Sequence, residues 1–365
     1  MIEWLQSLLV GFAVVGIPLS LFLWILCFDR MRKGQAIIPW SPRRRVPWNL
    51  LDLIALLFIG LVVTSAVAQL FAFRVRPSAP EWPAEMELKN FPPNQQIELL
   101  IWMAVSSVAV LLMSLAFIRI RARANLADLG LSATQIGQDL LLGLTGFTML
   151  VVPMLAIQLT SAFFIQTEER HPFIDIILQT PDIRFLAVVA VSAVVVAPLA
   201  EEFLFRVILQ GWLERVMMEF RSSPAPSCDR LPLHPSEELD SLAAEACSTE
   251  PDLPTPLETP LTPDPIPAEP VTKDPAIATN CDDEEDTAEP QGYLWCFPIL
   301  ISGVMFGLAH LGQGTAPIAL TFLGCGLGYI YQRTHRVLPC IIIHFLVNLL
   351  AMAQLGLYIG QQANP

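Results

Sequence analysis

Charged residues are scarce in this chain. Asp, Glu, Lys and Arg make up 15% of its 365 residues, whereas an ordinary soluble domain has about 25%. Hydrophobic residues reach 54%, and several stretches longer than about 18 residues carry almost no charge. This pattern excludes a soluble globular protein. It predicts an all-α fold, namely a polytopic bundle of about eight transmembrane helices in a lipid bilayer.

Paired cysteine spacings are also absent. The seven cysteines show no C-x-x-C pattern, and several of them lie in or beside apolar runs, so we expect reduced thiols and no disulfide framework. The N-terminus has Glu3, no basic segment before its apolar run and no small-residue cleavage site after it. We therefore expect the first span to be retained and not removed as a signal peptide.

The net charge of −13 comes from a single segment. Residues 222–291 hold 17 Asp or Glu against Arg230 and Lys273, a net of −15, which leaves +2 for the remainder. The same segment holds 14 of the 31 prolines. Such a composition cannot bury enough apolar surface to offset the entropy of the chain, so it predicts a disordered insertion. The membrane body has no strongly basic region, and we expect no nucleic-acid partner.

The apolar runs predict eight spans: Leu5–Phe28, Leu50–Phe73, Ile97–Ile118, Leu140–Phe164, residues 185–220, Phe297–Leu311, Ile318–Tyr331 and Leu338–Ile359. They divide the chain into four N-terminal helices (1–184), a helix with a charged motif (185–221), the insertion (222–292) and the C-terminal helices (293–360). Pro198 predicts a kink in the fifth helix.

The basic residues of the links between spans predict the orientation of the chain in the membrane. The links at 29–49, 119–138 and 332–337 hold eleven Lys or Arg, and the alternate links at 74–96 and 165–184 hold five. We therefore expect both termini outside the cytoplasm and the insertion inside it.

The fifth run ends in charged residues where a lipid-like sequence would be expected to continue. Glu201, Glu202 and Arg206 follow a stretch, residues 185–200, in which Ser192 is the only polar side chain. A charge near the bilayer centre costs about 2.5–3.5 kcal/mol, so charged residues there are usually paired or functional. Glu202 and Arg206 are four residues apart and share a helix face. Glu201 points roughly 100° away from Glu202, which leaves its carboxylate for chemistry.

Two further polar groups interrupt the C-terminal spans. His310 closes the sequence Phe306-Gly-Leu-Ala-His310, and His344 and Asn348 stand four residues apart in the last span. A lone histidine in a membrane is more often a helix-to-helix hydrogen bond than a catalyst. Here a surplus carboxylate, two histidines and an asparagine all fall within lipid-length spans. Gly303 with Gly307, and Gly324 with Gly328, allow close helix packing that would bring the groups together.

The three islands resemble the motifs E-E-x-x-x-R, F-x-x-x-H and H-x-x-x-N of the CAAX protease and bacteriocin-processing family (CPBP, Abi), which includes the type II CAAX prenyl endopeptidases. The resemblance covers about residues 185–355, and Val207 stands where the family often has Gly. It implies an intramembrane glutamic endopeptidase without metal or other cofactor, in a bacterial plasma membrane, with a membrane-associated peptide or protein substrate.

The resemblance also implies a role for each polar residue. Glu201 would be the general base for a water that His310 orients. His344 and Asn348 would donate hydrogen bonds to the carbonyl oxygen as it becomes negative. Glu202 and Arg206 would support the site structurally.

Three alternatives remain open at the level of sequence. A zinc-dependent membrane peptidase could use Glu201, His310 and His344 as ligands, although the chain has no H-E-x-x-H motif. A proton-coupled transporter could use the same groups as a proton relay, although no internal repeat pairs two halves of the chain. A non-catalytic membrane scaffold could merely bind a peptide there. The sequence does not indicate the oligomeric state.

Overall fold

Every regular element that the structure describes is a helix. The computed structural model describes residues 2–42, 45–75, 91–165, 182–222 and 293–363. Within these ranges the all-α class predicted from the sequence is confirmed. The described helices up to residue 220 and from residue 293 onward belong to one compact unit. The predicted disordered insertion, apart from its first residue Ser222, lies outside the described residues.

The described ranges contain eight main helical elements: α1 (Ile2–Arg32), α2 (Leu50–Val75), α3 (Pro93–Arg121), α4 (Ile136–Phe164), α5 (residues 183–222), α6 (Phe297–Leu308), α7 (Ala316–Thr334) and α8 (Leu338–Ala363). Short 3₁₀ turns precede α4 and α6. These positions follow the apolar runs closely, because a backbone in lipid must satisfy its hydrogen bonds internally and a helix does so.

Six of these helices, α1 to α5 and α8, are long and apolar enough to cross a membrane. The prediction of eight such spans therefore holds for six helices of the described part. The apolar stretch Leu294–Leu308 is shorter, with 15 residues. Helix α7 contains three glycines and ends near Gln332 and Arg333, and it is not among the six. The architecture is that of a helical membrane bundle.

Large apolar side chains cover the outside of the bundle. Val14 of α1 is 66% exposed, and Phe58 of α2 is 63% exposed. Contiguous apolar surface on this scale is uncommon on soluble monomers and marks contact with a membrane or a partner. The exposed apolar faces of α1 and α2 suit contact with lipid.

The core lies where α4, α5, α7 and α8 meet. Its buried members include Val151, Ile208, Leu323, Leu327 and Ile343. Helix α5, which carries the charged motif, also packs against α3 and α6. The charged motif is thus surrounded by helices on most sides.

Glycines allow α6 and α7 to approach closely, as the sequence predicted. A Cβ added to Gly303 would lie 2.8 Å from the backbone nitrogen of Cys325, and one added to Gly324 would lie 2.9 Å from the Cα of Gly303. Backbone this close leaves no room for a side chain. The contact fixes the position of α6, which leads to His310.

The link between α1 and α2 is fastened to the C-terminal part of α5. Trp48 is fully buried, and its indole Nε1 donates a hydrogen bond to the carbonyl of Ile208 at 3.2 Å. Arg215 donates to the carbonyl oxygens of Val46 and Trp48 at 3.2 and 3.0 Å. These bonds hold the C-terminal half of α5 in place.

Candidate active site

Helix α5 contains two π-helical stretches, one on each side of the segment that carries Glu201 and Glu202. It consists of α-helix Ile183–Val191, π-helix Ser192–Val196, α-helix Ala197–Glu202, π-helix Phe203–Gln210 and α-helix Gly211–Ser222. Pro198 lies in the short α-helical segment between the two π-helical stretches. Proline has no N–H and its ring collides with the carbonyl four residues back, so it disturbs the regular ladder. π-Helical turns are rare and occur often at functional sites.

Glu202 and Arg206 form the ion pair expected from their spacing. The guanidinium Nε lies 3.1 Å from Glu202 Oε2, and both side chains are fully buried. Arg206 Nη1 also donates to the hydroxyl of Ser302 at 2.7 Å, which donates in turn to the carbonyl of Phe205 at 2.9 Å. A buried charge needs partners of this kind. The network ties α5 to α6.

The Nδ1 of His344 contacts the other carboxylate oxygen of Glu202. The separation between His344 Nδ1 and Glu202 Oε1 is 3.0 Å, and the imidazole is almost completely buried. Both oxygens of Glu202 thus have partners, one on its own helix and one on α8. This carboxylate is held in position from two sides.

His310 lies just beyond the end of α6. The sequence predicted a span to Leu311, but the helix ends at Leu308, and the chain then turns through Gly312 and Gly314, whose φ values are positive. A glycine adopts such angles at little cost. The last carbonyls of a helix lack partners within it, and His310 Nδ1 lies 2.8 Å from the carbonyl oxygen of Phe306.

Glu201 lies opposite the two free imidazole nitrogens. Its Oε2 is 3.8 Å from His310 Nε2 and 3.8 Å from His344 Nε2. This oxygen is buried and has no hydrogen-bond partner among the described residues, although the side chain as a whole remains 27% exposed. The structure therefore brings Glu201, His310 and His344 together, as the sequence predicted they could be.

The ring of Phe306 packs against the imidazoles of both His310 and His344. Its centroid lies 5.1 Å from that of His310 and 5.4 Å from that of His344. The Arg206 guanidinium carbon lies 5.4 Å from the same ring. Packing on this buried ring fixes the planes of both imidazoles.

Asn348 contacts the backbone of α5. Its Nδ2 donates a hydrogen bond to the carbonyl of Ala193 at 2.7 Å, one turn of α8 after His344. The bond lies at the π-helical stretch that precedes Pro198. Asn348 thus contacts the backbone of α5. The spacing of residues in the sequence did not predict this contact.

Ser302 and the ring of Phe306 are the participants that sequence reasoning did not single out. Ser302 is fully buried and is the only side chain in α6 with a hydrogen-bonding group. That isolation in an apolar helix is a signal that could have identified it. For Phe306, its place in the motif gave no indication of ring contacts to both histidines.

A cavity of about 310 Å³ opens beside Glu201 between α2, α3 and α5. Its lining is mostly apolar, and Thr64, Ser107, Ser114 and Glu201 supply the polar groups. Such a mainly apolar cleft with a few polar groups is typical of a binding site. Glu201 is thus one of the few polar residues that line this cleft.

Comparisons with curated proteins and with solved structures gave no match. A family model does match the C-terminal part of the chain, which includes α6, α7 and the residues His310, His344 and Asn348. The first motif, with Glu201, precedes the matched segment. Residues 288–350 match the family described as type II CAAX prenyl endopeptidase Rce1-like, and this confirms over that segment the family resemblance drawn from the motifs.

Proposed function

We propose that this integral membrane protein is an endopeptidase in which Glu201 activates a water molecule for attack on a peptide bond. The observation that carries the proposal is the convergence of Glu201 Oε2 with the Nε2 atoms of His310 and His344, each 3.8 Å away. The family match of residues 288–350 supports peptidase chemistry. The three sequence motifs contain Glu201, His310, His344 and Asn348, the residues to which the proposed mechanism assigns roles.

The hydrogen bonds of the two imidazoles define what this convergence can bind. A carbonyl oxygen only accepts, so His310 donates through Nδ1 to Phe306. An ionised carboxylate also accepts, so His344 donates through Nδ1 to Glu202. In a neutral imidazole the other nitrogen is then an acceptor. With a neutral His310, Glu201 Oε2 and His310 Nε2 are two acceptors 3.8 Å apart, and a water molecule can donate one hydrogen to each of them.

The reaction follows from these positions. Glu201 takes a proton from the water as the water oxygen bonds to the carbonyl carbon of the substrate, and the π electrons move to the carbonyl oxygen. His310 accepts the second hydrogen bond of the water and orients it. When the tetrahedral intermediate collapses, the C–N bond breaks and the proton on Glu201 passes to the departing amine.

The negative oxygen of the intermediate needs donors. His344 donates through Nε2 when it carries hydrogens on both ring nitrogens, while its Nδ1 stays bonded to Glu202 at 3.0 Å. Asn348 has a second amide hydrogen besides the one used on Ala193. One such donor typically contributes about 10²–10³ in rate.

The cavity between α2 and α3 suggests the substrate. Its apolar lining suits a segment of a peptide or protein that is associated with the membrane, and it reaches Glu201 directly. We place the protein as a multi-pass component of a bacterial plasma membrane, with such a peptide as its partner.

Comparison of membrane proteomes tests the proposal. Cells with the wild-type protein and cells with Glu201→Gln at equal abundance are compared for new peptide termini. We expect termini that form only with the wild type and that map to membrane-associated proteins. Identical sets of termini in the two strains would contradict an endopeptidase role.

A zinc peptidase is the second candidate. Each imidazole bonds through Nδ1 to a carbonyl or a carboxylate, as zinc-ligating histidines do with the nitrogen that does not bind the metal, and its Nε2 faces Glu201. As the side chains stand, no group of three or more His, Cys, Asp or Glu in the described residues could hold a metal ion, so the ligands would have to move together around one. Cleavage that persists after treatment with 1,10-phenanthroline supports the glutamic mechanism, and loss restored by Zn²⁺ supports the zinc mechanism.

A further inference from the structure

Pro198 leaves one carbonyl of α5 without its helical partner. The N–H of Ala197 donates to Ser192, five residues back, in the π register. In that register the next acceptor, the carbonyl of Ala193, faces the nitrogen of residue 198. Residue 198 is proline and has no hydrogen to donate. Within a membrane no bulk water can replace the missing donor.

Asn348 supplies a donor at this position. Its amide nitrogen lies 2.7 Å from the Ala193 oxygen, and because a carbonyl can only accept, the amide must donate. The bond joins α8 to α5 across the place where the ladder is interrupted. Four residues earlier on α8, His344 bonds to Glu202 at 3.0 Å. Helix α8 thus holds α5 on both sides of Glu201.

We infer that Asn348 is a positioning residue whose amide replaces the N–H that Pro198 lacks, and that it thereby holds the turn that presents Glu201. This assignment goes beyond a donor to the substrate, because it makes Asn348 act through the backbone of α5. The link to Glu201 rests on the proposed function. The replacement of a missing backbone donor does not, because it concerns the fold alone.

A double-mutant cycle between positions 198 and 348 tests the inference. Wild type, Asn348→Ala, Pro198→Ala and the double variant are purified as full chains in detergent, and Tm and peptide cleavage are measured for each. Alanine at position 198 brings an N–H that can reach the Ala193 carbonyl. We expect Asn348→Ala to lower Tm and kcat when residue 198 is proline. Its effect on Tm should be much smaller in the Pro198→Ala background, and its effect on kcat should shrink to the part that a donor to the substrate contributes, with KM changed little throughout.

An oxyanion role alone predicts a different result. Loss of a substrate donor would lower kcat by about 10²–10³ in either background, and an equal loss in the two backgrounds would overturn the inference. Gln354→Ala provides a matched control, since it removes an exposed amide from the same helix. It should leave Tm and kcat unchanged.

Two further arms keep the test decisive. If neither the wild type nor any variant cleaves a peptide, the proposed function fails, and the Tm cycle alone judges the inference: absence of coupling overturns it. If Pro198→Ala does not fold, Asn348→Leu is compared with wild type, because leucine is close to asparagine in size and has no donor. Wild-type Tm for Asn348→Leu would overturn the inference.

Discussion

At the scale of single residues, the two adjacent glutamates have opposite surroundings. Glu202 is fully buried with both oxygens bonded, to Arg206 and to His344. Glu201 is partly exposed, and its Oε2 has no hydrogen-bond partner among the described residues. A carboxylate that is fully hydrogen-bonded is fixed, whereas an unpartnered acceptor near two imidazoles can take a proton. The difference follows from a helix rotation of about 100° per residue.

Arg206→Ala should destabilise the protein. It leaves Glu202 as a buried charge without its partner on the same helix, which typically costs about 3–5 kcal/mol. Arg184→Ala is the matched control on α5, because that guanidinium is 71% exposed and an exposed substitution typically changes stability by about 0.5 kcal/mol or less. Thermal unfolding in detergent is the measurement. Equal Tm values for the two variants would show that the Glu202–Arg206 pair contributes no stability.

The two histidines should separate by their effects on stability. Among the described residues, the side chain of His310 hydrogen-bonds to a carbonyl of its own turn. His310→Ala should therefore lower activity by about 10²–10⁴ with little change in Tm. His344→Ala removes a hydrogen bond from buried Glu202 and should lower both activity and Tm. Cleavage and unfolding are measured on the same preparations. Equal Tm losses for both variants would contradict this distinction.

The sequence predicted much of the site at this scale. The i, i+4 rule anticipated the Glu202–Arg206 pair, and the motif pattern selected Glu201 and both histidines. It did not reveal that His344 bonds to Glu202, because that contact depends on how α8 is placed against α5. The role of Ser302 was missed for the same reason, since its partners are on another helix. Catalytic roles remain predictions.

At the scale of helices, the close contact of α6 with α7 positions His310. Gly303→Ala would bring a Cβ to 2.8 Å from the backbone nitrogen of Cys325, which a side-chain rotation cannot relieve. Overpacking of this kind costs about 1–3 kcal/mol, so Tm should fall, and cleavage should fall as α6 shifts. Gly137→Ala on α4 is the control, because no atom lies within 4 Å of its added Cβ. A Gly303→Ala protein as stable and active as the control would refute this account of the contact.

Helix ends and register changes were the least predictable features. Pro198 indicated an irregularity in α5, and the structure resolves it into π-helical turns on either side of Ala197–Glu202. A proline in the sequence shows where a helical ladder is interrupted, but tertiary partners such as Asn348 decide how the freed carbonyl is satisfied. In α6 the stop at Leu308 depends on the glycine turn that follows, which an apolar pattern does not register.

At the scale of the whole molecule, composition predicted the class of fold and not the number of crossings. The absence of charge from long runs is sufficient for an all-α membrane bundle. Apolar runs near α6 and α7 were expected to cross, yet only six helices of the described part are long and apolar enough by themselves. Short helices that pack within a bundle need not meet lipid on every side. The hydropathy of their sequence is therefore a poor guide to whether they cross the membrane.

The distribution of basic residues gives a topology that can be measured. Eleven Lys or Arg on one set of links against five on the other predict that residues 222–291 face the cytoplasm. A membrane-impermeant maleimide applied to intact cells should not react with Cys228, Cys247 or Cys281 in a variant whose other four cysteines are Ser. The same reagent should react after the membrane is opened. Rapid labelling of intact cells would show that residues 222–291 lie outside the cytoplasm and would contradict the predicted orientation.

The central claim is that Glu201 is the base that activates water. Glu201→Gln keeps the size of the side chain and one acceptor oxygen, but its amide cannot take up a proton as a carboxylate does, so the purified variant should retain the wild-type Tm. Its rate of peptide cleavage in detergent should fall by about 10²–10⁴, the usual contribution of general acid–base catalysis. Full cleavage activity of Glu201→Gln at unchanged Tm would contradict the account.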